Sequence, residues 1–252
     1  MTFQDGSAGP PRPQNNLLRL LSEPDYALLS PHIEIEALAP NEILYNAGDD
    51  VDTVHFPCEG SAICFVLTIE DGREVELVLI GREGAAGGIV SEGRLPAFSR
   101  IEVRLGGPFA RLAVSRVQAA KERSKTLSNL FARYADCLLA QILQSSACNA
   151  AHSIEQRAAK WMLATMDRSG RRAVPFSHAQ LAAMLGVGRS YASRVIQAFR
   201  VQGIVETKRL ELKVLDKPAL RSKSCNCEEA VKSHFAEVLR GVYRASEAEP
   251  RP

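Results

Sequence analysis

Between Phe176 and Gly203 the chain carries a segment that few folds can accommodate. Ser177 followed three residues later by Gln180 is a capping-box pattern, so a helix starts there. Leu181, Ala182, Met184 and Leu185 give that helix one apolar face, with Ala182 thin enough for a second helix to lie close. Gly186 then permits the left-handed backbone of a tight turn, and Val187 plugs the angle between the two helices. The spacing predicts a second helix from about Gly188 to Gln202, closed by Gly203. Its residues Ala192, Val195, Ile196 and Phe199 recur at three and four, while Arg189, Ser190, Ser193, Arg194 and Gln197 lie on the opposite face. This is a helix-turn-helix with a polar outer surface.

Such a surface is either solvated or a reading head. A recognition helix offers its N-terminal residues to base edges in the major groove, where a guanidinium grips guanine O6 and N7 with two hydrogen bonds. Arg189 and Arg194 are spaced to face DNA together. Charge favours this reading. Residues 1–150 hold 13 Lys and Arg against 19 Asp and Glu, whereas residues 153–223 hold 14 against 5. A basic module joined to an acidic one points to a polyanionic partner for the second half alone. Beyond Gly203, Ile204–Glu206 and Leu210–Val214 read as two strands around Lys208 and Arg209, a basic wing for phosphate. Ser177, His178 and Gln180, at the head of the first helix, complete the expected DNA contacts.

The rest of the chain changes period. Residues 1–16, rich in proline, read as a disordered leader. Two short helices follow, at Asn16–Ser22 and Pro24–Ser30. From about 32 to 114, short alternating runs with glycine turns predict an all-β roll or sandwich. Asp71-Gly72 signals a type I′ hairpin, with Glu74 and Glu76 on the outer face of the returning strand. A long helix is expected from about Ser115, with Leu127, Phe131, Tyr134, Leu138 and Ile142 on one stripe. That stripe fits either the chain's own β domain or a second copy of itself. A further helix spans Ser153–Asp167, and another Glu228–Leu239. The domain boundaries are therefore a leader at 1–16, a sensor-like roll at 17–114, a connecting helix at 115–150, a winged module at 151–222 and a C-terminal helix and tail at 223–252. No apolar run approaches the roughly 20 residues of a membrane span. The N-terminus lacks the features of a secretory signal, and six dilute cysteines suit thiols in a cytoplasmic setting. No catalytic constellation is present, so an enzyme is not expected.

With Leu185-Gly186-Val187, Ser193-Arg194-Val195, His152-Ser153-x-x-x-Arg157 and Trp161-Met162-Leu163 in place, the chain resembles the CRP/FNR family of bacterial transcription regulators. The resemblance implies an α+β protein of two domains: a cyclic-nucleotide-binding-like β-roll, a long dimerisation helix and a C-terminal winged helix-turn-helix. It implies a homodimer joined through Leu127, Phe131, Tyr134, Leu138 and Ile142. It also implies a two-fold symmetric double-stranded DNA site, contact with RNA polymerase and no membrane association.

The departures from the family pattern are informative. Position 190, often glutamate, is Ser190, and the wing has Arg209-Leu210 in place of Arg-Gly. Where cyclic-nucleotide binders carry Gly-Glu and then arginine, this chain has Gly87-Gly88 and Phe98. Gly81, Arg82, Gly87, Gly88, Ser99 and Arg100 are the candidate effector contacts, with Arg82 or Arg100 as substitute cations. A buried phosphate without its cation is costly, so classical cyclic AMP binding is not expected. No cysteine precedes Cys58, which argues against the family's N-terminal iron–sulfur cluster. Cys225 and Cys227 lack a second ligand pair in sequence and read as packing residues, so no cofactor or metal is expected. Besides a regulator with an effector-sensing roll, a constitutive architectural DNA-binding protein with an inert roll fits the same sequence.

Overall fold

The computed structural model describes residues 11–91, 93–170, 173–208 and 211–243. The N-terminal half begins with α1 (Asn16–Leu20) and α2 (Glu23–Leu29), then a 3₁₀ turn at Ser30–His32. Residues 11–16 are ordered onto the roll and are not leader. Asn15 is fully buried, caps α1 by accepting from the amides of Leu17 and Leu18, and donates from Nδ2 to the carbonyls of Pro57 and Gly84. Residues 1–10 of the expected leader lie outside the described residues.

Seven strands build the roll: β1 (Glu34–Leu38), β2 (Ile43–Tyr45), β3 (Thr53–Pro57), β4 (Ala62–Thr68), β5 (Glu74–Ile80), β6 (Arg100–Leu105) and β7 (Gly107–Ala113). They form an antiparallel sheet β1-β7-β3 facing a second, β2-β6-β4-β5. The β4–β5 hairpin closes through Glu70-Asp71-Gly72 in a different way from the expected type I′ turn. Gly72 alone takes positive φ, at 80°, and the Ile69 amide reaches the Arg73 carbonyl at 2.9 Å. That is the three-residue loop built on a type I turn with a left-handed glycine. Glu76 also departs from expectation, in its burial and not in its face. Leu77 is an extra residue between the Phe65–Val78 and Val66–Glu76 pairs, and Glu76 stays in register with Val66 on the outer sheet face, where the C-terminal module covers it. Glu76 is buried beside Glu102, and both accept from Arg104 Nη2 at 2.7 Å. Burial, opposed by the Arg104 charge and reinforced by Glu102, pushes the Glu76 carboxyl up to about 7.

The expected connecting helix is two helices. α3 (Val114–Arg123) ends at Ser124, whose hydroxyl accepts from the Leu127 amide and starts α4 (Lys125–Ala151). α5 (Ile154–Ser169) follows with a capping box at Ser153 and Gln156 and ends at Gly170 in the left-handed region. The C-terminal module comprises β8 (Ala173–Val174), α6 (His178–Leu185), α7 (Arg189–Val201), β9 (Val205–Lys208), β10 (Glu211–Val214), α8 (Lys217–Lys223) and α9 (Cys227–Arg240). Its sheet runs β8-β10-β9, one strand more than the expected wing. One apolar core spans both halves, joining Cys64, Val66 and Leu79 of the roll to Trp161, Met184, Ile196 and Phe199. No described helix is long and apolar enough to cross a membrane.

Candidate nucleic-acid interface

The helix-turn-helix is formed as its sequence dictates. Ser177 Oγ accepts from the Gln180 amide, and Gln180 Oε1 accepts from the Ser177 amide at 2.9 Å, closing the capping box. Gly186 takes φ 65°, the Val187 amide bonds back to the Ala182 carbonyl, and α7 starts two residues later. Ala192, Val195, Ile196 and Phe199 are buried, so the rotation of α7 about its axis is fixed by the core.

That rotation leaves Arg189, Ser190 and Arg194 exposed on one face, with Gln197 and Arg200 continuing it. Ser193 behaves differently from its neighbours: it is half-buried, and its Oγ shares a 2.9 Å hydrogen bond with His178 Nδ1. Burial, with Arg189 and Arg200 close by, lowers the pKa of His178. Ser193 and His178 therefore brace the two helices against each other. Gln180 is likewise engaged, donating from Nε2 to Asn41 Oδ1 of the roll at 3.1 Å. Tyr191, which sequence reasoning passed over, is half-exposed beneath Arg194, whose guanidinium lies 5.1 Å from the ring centroid. An aromatic residue three positions before an arginine on one helix face was the available signal. Lys208 ends β9 exposed; Arg209 lies outside the described residues.

The other expected residues scatter. Leu127, Phe131 and Tyr134 are buried in the chain's own core and are not a free seam. The reason is a partner not weighed for them: α9 packs along α4, with Phe235 edge-on to Tyr134 at 6.3 Å, and Phe131 meets Phe56 of the roll. Leu138 is half-buried against the roll, and only Ile142 of the five is exposed. Leu139 and Leu143, at 55% and 61% exposure, form the bare apolar face of α4 with it.

Between the roll and this face lies a cavity of about 710 Å³, lined among others by Gly87, Phe98, Ser99, Leu138, Leu139 and Ile142. Of the six effector candidates, Gly87 and Ser99 reach it, whereas Gly81, Arg82, Gly88 and Arg100 do not. Arg100 is held by Glu74 and Glu102 at 2.7 and 2.9 Å. Gly87, at φ 126°, sits where an added Cβ would lie 2.4 Å from the Thr53 carbonyl oxygen, so it serves a close strand contact. Neither Arg82 nor Arg100 supplies a cation to this cavity; the arginine that lines it is Arg157. Away from both features, at the junction of α4 and α5, Cys148 and His152 meet Cys225 and Cys227.

Residues 156–223 match the Crp-like helix-turn-helix domain family. Solved structures extend the likeness across the roll. A protein from Eubacterium rectale assigned to the CRP/FNR family is 17% identical, with a TM-score of 0.65 over 82% of this chain and 96% of its own. The c-di-GMP responsive global regulator CLP of Xanthomonas campestris is 16% identical, with a TM-score of 0.60 over 77% and 100%. TTHB099, a CRP-family transcriptional regulator of Thermus thermophilus, is 21% identical, with a TM-score of 0.59 over 75% and 95%. The chain carries a Crp-like helix-turn-helix on a CRP/FNR-type fold. Among curated proteins, none matches the sequence significantly. In this fold α6 and α7 are the two helices of the helix-turn-helix, α4 is the long helix joining the roll to them, and β9–β10 is the hairpin that follows.

Proposed function

We propose that the protein is a transcription regulator that binds a two-fold symmetric DNA site as a homodimer. The observation that carries this reading is the outward face of α7, where Arg189, Ser190 and Arg194 are exposed and the buried residues of the same helix fix their direction. Arg194, steadied over Tyr191, has the shape to read guanine in the major groove. Arg189 stands at the first turn of α7, where base edges are met first. Lys208, with Arg209, serves phosphate.

The dimer is assigned to Leu139, Ile142 and Leu143, which form a contiguous apolar face on a helix whose other side is filled. Pairing of this face with its copy covers the mouth of the 710 Å³ cavity, since Leu139 and Ile142 line it. An effector entering there acts on the dimer contact directly, and so on the spacing of the two α7 helices. Its largely apolar walls, which neither Arg82 nor Arg100 reaches, favour an effector other than cyclic AMP, with Arg157 the lining cation. Contact with RNA polymerase and a cytoplasmic location follow from the same reading, and nothing in the site calls for enzymatic activity.

Genomic footprinting of the full-length chain separates this function from an architectural one. A limited set of palindromic promoter sites is expected. Diffuse coverage without a shared sequence would overturn regulation and leave a packaging role.

A further inference from the structure

We propose that Cys148, His152, Cys225 and Cys227 form a tetrahedral site for one thiophilic divalent metal ion, with zinc the best-fitting ion. Each offers one ligand atom, and the four atoms lie within 4.8 Å of one another. Cys148 Sγ is 3.7 Å from Cys225 Sγ, and Cys227 Sγ is 3.5 Å from His152 Nδ1. With zinc bonds of about 2.3 Å to sulfur and about 2.0–2.1 Å to nitrogen, tetrahedral ligands stand roughly 3.5–3.8 Å apart. The pairs in this chain already stand at that separation.

Two other uses of the cysteines fit less well. A disulfide requires sulfurs at about 2.0 Å, and 3.7 Å is far longer. An iron–sulfur cluster places several irons and sulfides among its thiolates, which demands a wider cage than 4.8 Å. Simple packing leaves the polar surroundings unexplained. The three cysteines form a small buried group separate from the larger apolar cores. Gln144 Nε2 donates to Cys227 Sγ at 3.2 Å, and Lys160 Nζ to Cys148 Sγ at 3.5 Å. Lys160 and Arg157 are each only 8% exposed, and neither has a carboxylate within 4.0 Å among the described residues. A buried cation is costly without a negative neighbour. Three thiolates on one divalent ion carry a net single negative charge, and so provide that neighbour.

The ligands also come from two places worth joining. Cys148 and His152 are four residues apart at the end of α4, Ser153 caps α5 immediately after, and Cys225 and Cys227 link α8 to α9. The ion pins the C-terminal helices to the hinge between the connecting helix and the DNA-binding module. This inference stands whether or not the chain regulates transcription.

The test is metal analysis of the full chain purified without chelators, followed by exchange with Co²⁺. One zinc per chain is expected, and the cobalt form should show intense tetrahedral d–d bands with thiolate-to-cobalt charge transfer. The double variant Cys225→Ser, Cys227→Ser should lose both the metal and the charge-transfer band. His152→Cys keeps four ligands and should retain the ion with a shifted cobalt spectrum, which separates lost ligation from lost folding. Native protein that is metal-free and yields only the weak spectrum of octahedral cobalt would overturn the site. Iron with acid-labile sulfide in place of zinc would overturn the single-ion assignment.

Discussion

The two halves of α4 carry the same kind of apolar periodicity and meet opposite fates. In the first half Leu127, Phe131 and Tyr134 are filled in by the roll and by α9, and Tyr134 Oη both donates to the Ala85 carbonyl and accepts from its amide. In the second half Leu139, Ile142 and Leu143 meet solvent. A helical stripe therefore tells that a surface will be covered and says nothing of what covers it. The identity of the cover depends on elements distant in sequence, here a helix about a hundred residues downstream.

This contrast breaks first at Leu143. Leu143→Asp occurs twice in a two-fold dimer, so it is expected to weaken association by about 3–6 kcal/mol, from about 1.5–3 for each buried leucine. Sedimentation equilibrium should report monomers that still unfold cooperatively, with a Tm that no longer depends on protein concentration; intact dimers would move the interface off this face. Phe131→Ala should do the reverse, costing about 3–5 kcal/mol of folding stability in denaturant titration while folded chains still dimerise. A monomeric but fully stable Phe131→Ala would restore the first half as the seam.

The roll and the layer beneath the DNA-binding module can also be set against each other by pH. His55 is buried, and desolvation, with Arg111 adding to it, lowers its pKa to about 4. The unfolded chain then binds the extra proton first, so its contribution to stability is lost as pH falls from about 6.5 to about 4, by about 3 kcal/mol in all. Glu76, raised to about 7, has the opposite sign: the folded state holds the proton, and stability is lost as pH rises from about 4.5 to about 7. The two oppose each other in the native chain. Thermal denaturation of Glu76→Gln should expose the acid loss, and His55→Gln the gain on acidification. Identical pH profiles for both variants would contradict the assignment.

Much of the C-terminal module was legible because its signals are local. Ser177 with Gln180, Gly186, and the spacing from Ala192 to Phe199 each fix one feature of the backbone within a few residues. The strands of the roll were legible as elements, but what covers their outer face was not. Glu76 lies on the outer sheet face as its alternation predicts, but the C-terminal module covers that face, and Arg104, on another strand, makes the burial tolerable. Ser193 and Gln180 looked like free polar residues because their partners, His178 and Asn41, are supplied by the tertiary fold. The grouping of Cys148 and His152 with Cys225 and Cys227 escaped notice for the same reason, since more than 70 residues separate the two pairs.

Selection of duplexes from a random pool by the full chain, repeated with Arg194→Ala, tests directly whether α7 reads sequence. Native protein should enrich a two-fold symmetric sequence whose half-sites are centred about one helical turn, roughly 34 Å, apart. Arg194→Ala should lose preference at one base pair in each half-site, weakening specific binding by about 1–3 kcal/mol and leaving random duplexes nearly unaffected. No enriched sequence from the native chain, or an equal loss on specific and random DNA, would contradict the account.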